Sequence, residues 1–210
     1  MSRPTIIYLL RHGATAANLE SPPRLQGQTL DDGLAPLGVD QVRKAAEALS
    51  RVALRAVYTS PLNRAKETAE AIARPHGLGP IIVSEFLEVN VGDWQGLTWE
   101  EVRRDFPEHY EQVHTDPVAV PYAGGESFGD VADRALPALT RIAGRHAGES
   151  IAVVGHNAVN RAILGRVLDV QPRLLRQANG GINLLEFHPP ASFLAVMINS
   201  CLHLMDETSS

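Results

Sequence analysis

Five residues whose side chains can carry out phosphoryl transfer stand just after apolar segments or at the starts of predicted helices. A neutral imidazole can attack phosphorus, guanidinium groups hold anionic oxygens in pairs, and a carboxyl group can protonate a leaving oxygen. The sequence supplies each type, in the order Arg11, His12, Arg64, Glu88 and His156. These residues predict phosphoryl transfer, provided that the fold brings them together.

The first pair, Arg11 and His12, directly follows the apolar run Ile6–Leu10 and precedes Gly13. In open α/β sheets, ligands bind at the carboxyl ends of the strands. Burial of such polar groups there is costly unless an anion meets them, and Gly13 would let backbone N–H groups approach that anion. An ordinary strand-end loop with a solvated arginine is the alternative for this segment taken alone.

Arg64 falls in the first turn of a predicted helix, which the sequence begins with Ser60 as the N-cap and Pro61 at the first helical position. The helix dipole disfavours a cation in that turn. A basic residue there makes more sense if it shares a bound anion with the free N–H groups of the helix. A surface arginine is the alternative interpretation.

His156 occupies a place like that of His12, because it follows the apolar run Ile151–Val154 and Gly155 and opens a predicted helix. A helix-capping histidine is the alternative. Glu88 lies in an apolar stretch, and apolar surroundings favour the protonated carboxyl group that a general acid needs. A solvated glutamate at a strand edge is the alternative for this residue.

The segments that must position these residues alternate between short apolar runs and amphipathic patterns. Runs typical of strands are Ile6–Leu10, Ala56–Thr59, Ile81–Val83, Ile151–Val154, and Leu184–Phe187 with Phe193–Asn199 as a hairpin at a sheet edge. Helical patterns cover Pro36–Arg51, Ser60 to Pro75, Leu97–Phe106, Ser127–Arg145 and Asn157–Leu168. The alternation predicts an α/β fold, a three-layer sandwich with a mostly parallel central sheet flanked by helices.

One segment shows no clear periodicity in its hydrophobic residues. Residues 106–126 contain three prolines and are predicted to form a long loop, a kind of segment that is often functional. We expect a single domain over residues 1–205, with a small lid-like insertion at about residues 90–126. The polar tail, residues 206–210, is expected to be disordered.

Composition excludes several classes of protein. The 210 residues are 44% hydrophobic and 20% charged with a net charge of −5, which does not favour a nucleic-acid or acidic-membrane partner. One cysteine rules out a disulfide within the chain and Cys-rich zinc sites, and the histidines show no metal-ligand spacing. The apolar run near the N-terminus is too short for a signal peptide or membrane span, so we expect a soluble cytoplasmic protein.

The order of the motifs resembles the histidine phosphatase superfamily, also called the phosphoglycerate mutase-like family, from Leu9 to about Asn199. The segment from Arg11 to Asn18 reads Arg-His-Gly-x-Thr-x-x-Asn, the most specific element of the resemblance. Three further elements follow in the expected order, Ser60-Pro61 with Arg64 and Thr68, Gly124-Gly125-Glu126-Ser127, and Gly155-His156-Asn157. Two departures are Gln95, where many relatives carry Glu, and Ala123, where Pro often stands; neither belongs to the core set.

The resemblance implies a role for each residue of the core set. His12 would be the phosphorylated nucleophile, Arg11, Arg64 and His156 would surround the phosphoryl group, and Glu88 would donate a proton and later activate water. Additional substrate contacts would come from Asn18, Arg24, Gln26, Gly27 and Asn157. The cationic side chains take the place of a metal, so neither a metal nor another cofactor is expected.

Three functions remain open at this point. A phosphatase of small phosphorylated metabolites is favoured, because the segment after Glu88 is poor in the cations expected of a phosphoglycerate mutase, its rival. A non-catalytic module that binds a phospho-ligand is the third, and the complete set of reactive residues argues against it. The resemblance also makes a homodimer possible, and it leaves the substrate open.

Overall fold

The computed structural model describes residues 3–205 and contains a six-stranded sheet. The strands are β1 (Thr5–Arg11), β2 (Leu54–Thr59), β3 (Pro80–Ile82), β4 (Ser150–Gly155), β5 (Ile182–His188) and β6 (Ser192–Ser200). They are ordered β3-β2-β4-β1-β5-β6, with parallel pairing from β3 through β1 and antiparallel pairing of β5 with both of its neighbours. Every predicted strand is present, and the predicted hairpin lies at the sheet edge.

Seven α-helices lie within the described residues. They are α1 (Ala16–Leu19), α2 (Pro36–Leu49), α3 (Asn63–Ala73), α4 (Trp99–Asp105), α5 (Pro107–Thr115), α6 (Phe128–Ala143) and α7 (Asn157–Leu168). Side chains alternate between the two faces of β1, so that Ile7 and Leu9 join a core with α6 and α7, while Leu10 joins a second core with α2 and α3. The three-layer α/β sandwich is therefore confirmed.

Two sequence predictions were wrong in detail. Part of the supposed loop 106–126 is a helix, α5, because Pro107 occupies its first turn, where proline is tolerated, and the other prolines lie beyond its end. Helix α3 begins at Asn63 rather than after Ser60. The buried Ser60 hydroxyl lies 2.7 Å from His156 Nε2 and accepts from Leu62 N only at 3.4 Å. The backbone N–H of Asn63 is instead accepted by Asp31 Oδ2 at 2.8 Å.

Between β3 and α6, the chain packs around one buried indole. Trp94 is fully buried, and its ring makes edge or tilted contacts with four others at centroid distances between 5.3 and 6.1 Å, from Trp99, Phe106, His109 and Tyr122. This aromatic cluster fixes α4, α5 and the segment before α6 as one unit beside the carboxyl ends of the strands. The predicted disordered tail, residues 206–210, lies outside the described residues.

No helix within residues 3–205 is long and apolar enough to cross a membrane.

Candidate active site

Parallel pairing brings the two predicted site histidines together. In the register of β1 and β4, Arg11 lies opposite Gly155, and the backbone N–H of His12 donates to the Gly155 carbonyl at 3.2 Å. His12 and His156 therefore leave neighbouring strands at the same edge of the sheet, and their ring centroids are 5.1 Å apart. Both side chains are buried.

The tautomer of His12 follows from a contact that sequence reasoning could not identify. Its Nδ1 lies 2.7 Å from the carbonyl oxygen of Gly13, and a carbonyl can only accept, so Nδ1 carries the proton and Nε2 keeps a lone pair. Burial, followed by the charges of Arg11 and Arg64, holds the pKa of His12 well below 6.5. His12 is therefore a neutral imidazole with Nε2 available for attack.

Arg64 is 1% exposed, yet its guanidinium is held mainly by backbone carbonyls. Nη1 donates to Leu30 O at 2.9 Å and to Asp31 Oδ1 at 3.3 Å, and Nη2 donates to Gly27 O at 2.8 Å. Burial lowers the pKa of Arg64, but an arginine remains cationic at neutral pH. The group is a fixed positive charge at the start of α3.

Arg11 is the second fixed cation beside His12. Its Nη1 donates to the Gln177 carbonyl at 2.7 Å. Burial lowers the pKa of Arg11 to about 10, so the side chain remains charged at neutral pH.

Three buried atoms around His12 have no hydrogen-bond partner among residues 3–205. They are Arg11 Nε, Arg64 Nε and His156 Nδ1, half of the six such side-chain atoms found in residues 3–205. The other ring nitrogen of His156, Nε2, lies 2.7 Å from Ser60 Oγ. Because buried polar groups are nearly always paired, three unpaired nitrogens beside one imidazole indicate a site for a ligand that accepts hydrogen bonds.

Glu88 is held at the amino end of α7. Its Oε1 accepts from the backbone N–H groups of Val89 at 2.9 Å, Ala158 at 3.2 Å and Val159 at 3.3 Å. These contacts use N–H groups that the first turn of α7 leaves unpaired, and they fix the carboxyl group in the cavity that His12 also lines.

The remaining predicted contact residues line the same cavity as His12. Asn18 Oδ1 accepts from Thr15 N at 3.2 Å and from Asn179 Nδ2 at 3.0 Å, so its amide nitrogen is the atom suited to meet a ligand. Arg24 is more exposed and bonded to Glu20. The cavity encloses about 160 Å³ and includes all five predicted contact residues, Asn18, Arg24, Gln26, Gly27 and Asn157.

The comparisons with known proteins identify the family. The model of the histidine phosphatase superfamily (branch 1) matches residues 7–199. The chain belongs to this family. A metal-independent phosphoserine phosphatase from Arabidopsis thaliana is 40% identical over 170 residues, 79% of this chain and 70% of that protein.

Two further relatives of this histidine phosphatase carry related names. Phosphoserine phosphatase 1 from Hydrogenobacter thermophilus is 34% identical over 164 residues, 78% of this chain and 76% of that protein. The structure of a variant phosphoserine phosphatase from Entamoeba histolytica, in complex with phosphoserine, superposes with a TM-score of 0.84 at 26% identity. That superposition covers 96% of this chain and all of the other.

Sequence reasoning missed one cation of the histidine phosphatase site. Arg161 lies on α7 four residues after Asn157 and lines the cavity with Trp99, Tyr122 and Phe128. The spacing was a usable signal, because residues four apart share one face of a helix. Within residues 3–205, no group of three or more His, Cys, Asp or Glu side chains could hold a metal ion.

Proposed function

We propose that this histidine phosphatase hydrolyses phosphomonoesters of small metabolites through a phosphorylated His12. One observation carries the proposal: three buried nitrogens without protein partners, on Arg11, Arg64 and His156, surround a neutral imidazole. The oxygens of a phosphoryl group supply the acceptors that these nitrogens lack. Arginine suits this task because its planar donors match anionic oxygens and its charge persists at every physiological pH.

In the first step, His12 Nε2 attacks phosphorus in line with the ester oxygen. An N–P bond forms, the P–O ester bond breaks, and negative charge on the equatorial oxygens is stabilised by Arg11, Arg64 and His156. Glu88 supplies the proton that converts the leaving alkoxide to an alcohol.

In the second step, water attacks the phosphorus of phosphohistidine. Glu88, now ionised, accepts a proton from that water, the N–P bond breaks, and inorganic phosphate leaves. His12 returns to its neutral form with its proton still on Nδ1, held by Gly13. The chain's own side chains thus provide the nucleophile, the anion site and the acid–base group for both steps.

A small substrate fits the size of the cavity. Its volume of about 160 Å³ is below the ~300–1,000 Å³ of pockets that hold drug-sized ligands. The names of the relatives favour phosphoserine within this class of substrates. The rival function, phosphoglycerate mutase, would return the phosphoryl group to the substrate instead of to water, and release of inorganic phosphate without added bisphosphoglycerate separates the two.

His12→Ala tests the proposed nucleophile. Removal of the imidazole should lower kcat/KM for p-nitrophenyl phosphate and phosphoserine by about a thousandfold or more, because no other group can form the covalent intermediate. Quenching the wild-type enzyme during turnover of ³²P-labelled phosphoserine should trap an acid-labile, alkali-stable adduct that H12A lacks. His188→Ala is the matched control, since that exposed ring lies on β5 and pairs with Glu186.

Undiminished turnover by folded H12A, or a wild-type enzyme that yields no such adduct, contradicts the proposal.

A further inference from the structure

A second cavity lies next to the catalytic cavity, beside Arg161 of α7. This neighbouring cavity encloses about 300 Å³ and shares four residues with the first, Trp99, Tyr122, Phe128 and Arg161. His12 and Glu88 line only the first, where the phosphoryl group would be held. The four shared residues therefore border the space that is available to the alcohol part of a substrate whose phosphoryl group is held beside His12.

Arg161 is the cation at this boundary. Its guanidinium carbon lies 4.9 Å from the centre of the Phe128 ring, and its Nε donates to the Pro172 carbonyl at 2.8 Å. These two contacts fix the plane of the group and leave Nη1 and Nη2 as the donors not committed to Pro172. No carboxylate of residues 3–205 forms an ion pair with it, in contrast to Arg134 and Arg166, which pair with acidic side chains.

The position of Arg161 also separates it from the phosphoryl site. It lies four residues beyond Asn157, which places it about 6 Å further along the helix axis at 1.5 Å per residue. Tyr122 stands beside it, and burial raises the pKa of Tyr122 to about 12, so its hydroxyl is neutral. The charge of Glu88 acts on Arg161, yet no acid within residues 3–205 forms an ion pair with this half-buried cation, so its remaining donors suit an anionic group on the ligand.

We propose that Arg161 is a specificity-determining residue that binds a carboxylate on the alcohol part of the substrate. Nη1 and Nη2 form a fork whose two donors match the two oxygens of a carboxylate. The inference rests on the proposed phosphatase function and deepens it, because it assigns the substrates to phosphomonoesters of hydroxy acids, including hydroxy amino acids. Neutral alcohols and amines would lack this contact.

A matched pair of substrates tests the inference. Phosphoserine and phosphoethanolamine differ only in the carboxylate, so the ratio of their kcat/KM values isolates its contribution. The wild-type enzyme should prefer phosphoserine, and Arg161→Gln should lower the ratio by about tenfold to a hundredfold, mainly through KM, because one charge-assisted contact is lost. Arg161→Lys should keep part of the preference.

Arg166→Gln is the control, since Arg166 is on the same helix but pairs with exposed Asp133. It should leave the ratio at the wild-type value. An unchanged ratio in R161Q, or an equal loss with both substrates, overturns the inference and leaves Arg161 a packing residue on Phe128. Should R161Q fail to fold in a thermal melt, Arg161→Met decides, because it keeps the packing on Phe128 without the charge, and an unchanged ratio in that variant also overturns the inference.

The test separates this inference from the proposed function. Absence of phosphate release from both substrates by the wild-type enzyme contradicts the phosphatase function itself. Release from both with no dependence on Arg161 contradicts only the carboxylate site.

Discussion

At the scale of single residues, the two histidines differ in what their second nitrogen contacts. His12 donates through Nδ1 to a carbonyl, so its tautomer is fixed before any substrate arrives. His156 contacts a hydroxyl through Nε2, at Ser60 Oγ, and a hydroxyl can either donate or accept. Because His156 Nδ1 has no partner in the described protein, it is the nitrogen available to donate to a phosphoryl oxygen.

Ser60→Ala should therefore weaken both folding and catalysis. It leaves a fully buried ring nitrogen of His156 without a partner, which costs about 1–3 kcal/mol of unfolding free energy. The same change removes the group that orients His156, so kcat should fall by about tenfold or more. Urea denaturation and steady-state kinetics measure the two effects, and exposed Ser50→Ala serves as the control. A variant with wild-type kcat and stability would show that the contact is dispensable.

Glu88→Gln distinguishes proton donation from simple anion binding. The amide keeps the shape of the side chain but has no proton that it can transfer to an alkoxide. We expect kcat/KM for phosphoserine to fall by about 100-fold or more, and that for p-nitrophenyl phosphate to fall much less, since nitrophenolate leaves without protonation. The constant kcat/KM is the right measure because it reports steps up to phosphorylation of His12. Equal losses with the two substrates would refute a role as proton donor.

At the scale of elements, the amino ends of two helices organise the site in different ways. Helix α7 uses its free N–H groups at Ala158 and Val159 to hold Glu88. Helix α3 has its first N–H group, that of Asn63, accepted by Asp31, a residue of a distant loop. Asp31 also contacts Arg64 at 3.3 Å, so one carboxylate links the start of α3 to the guanidinium that the proposed mechanism uses.

Asp31→Ala should release that link. Loss of the carboxylate leaves the α3 terminus without its acceptor and should lower the unfolding free energy by about 1–2 kcal/mol. Arg64 keeps its carbonyl contacts but loses one restraint, so KM for a phosphomonoester should rise several-fold. Labelling of His12 by the ³²P-phosphoryl group should persist. Denaturation curves and KM values check the outcome against Asp32→Ala, the exposed neighbouring acid. Identical behaviour of the two variants would contradict the assigned role of Asp31.

A hydrogen-bond acceptor in a distant loop, such as the Asp31 carboxylate, explains why the sequence pattern misplaced the start of α3. Ser60-Pro61 carries the local pattern of a helix start, yet the first N–H group of α3, that of Asn63, is accepted by Asp31, about thirty residues earlier in the chain. By contrast, the start of α6 was predictable, because Ser127 and Asp130 form a capping box within four residues. Local signals were sufficient where the partner is local, and they failed where a tertiary contact replaced it.

At the scale of the whole molecule, the sheet register explains why the sequence could predict which residues meet in the candidate site. Buried strands are visible as apolar runs, and the carboxyl ends of parallel strands lie at one edge, which places His12 beside His156. The partners Gly13, Ser60 and Gln177 could not be predicted, because side-chain hydrogen bonds depend on the final packing of separate segments. The family resemblance predicted the role of each site residue, whereas the alternation of strands and helices predicted only that these residues lie close together.

Burial of both histidines makes the stability of the whole molecule depend on pH. The pKa values of His12 and His156 are held well below 6.5, chiefly by burial. Above pH 6.5 both rings are neutral in the folded and the unfolded chain. Below it the unfolded chain takes up protons that the folded protein does not, so the unfolding free energy falls as the pH falls from 6.5 toward the lowered values.

We expect the unfolding free energy to fall with pH by up to about 1.4 kcal/mol per pH unit for each histidine ring, and this is the slope to be measured. Urea denaturation at intervals between pH 7.5 and 5.5 measures it, in a window above the range in which carboxyl groups normally titrate. His12→Asn should reduce the slope by one ring's share, because the variant no longer has that ring to protonate in the unfolded chain. His188→Asn, at an exposed position on β5, should not reduce it by that share. A wild-type free energy that stays constant across this window would mean that the two imidazoles are not buried as neutral groups, and the nucleophile would then need another route to its unprotonated form.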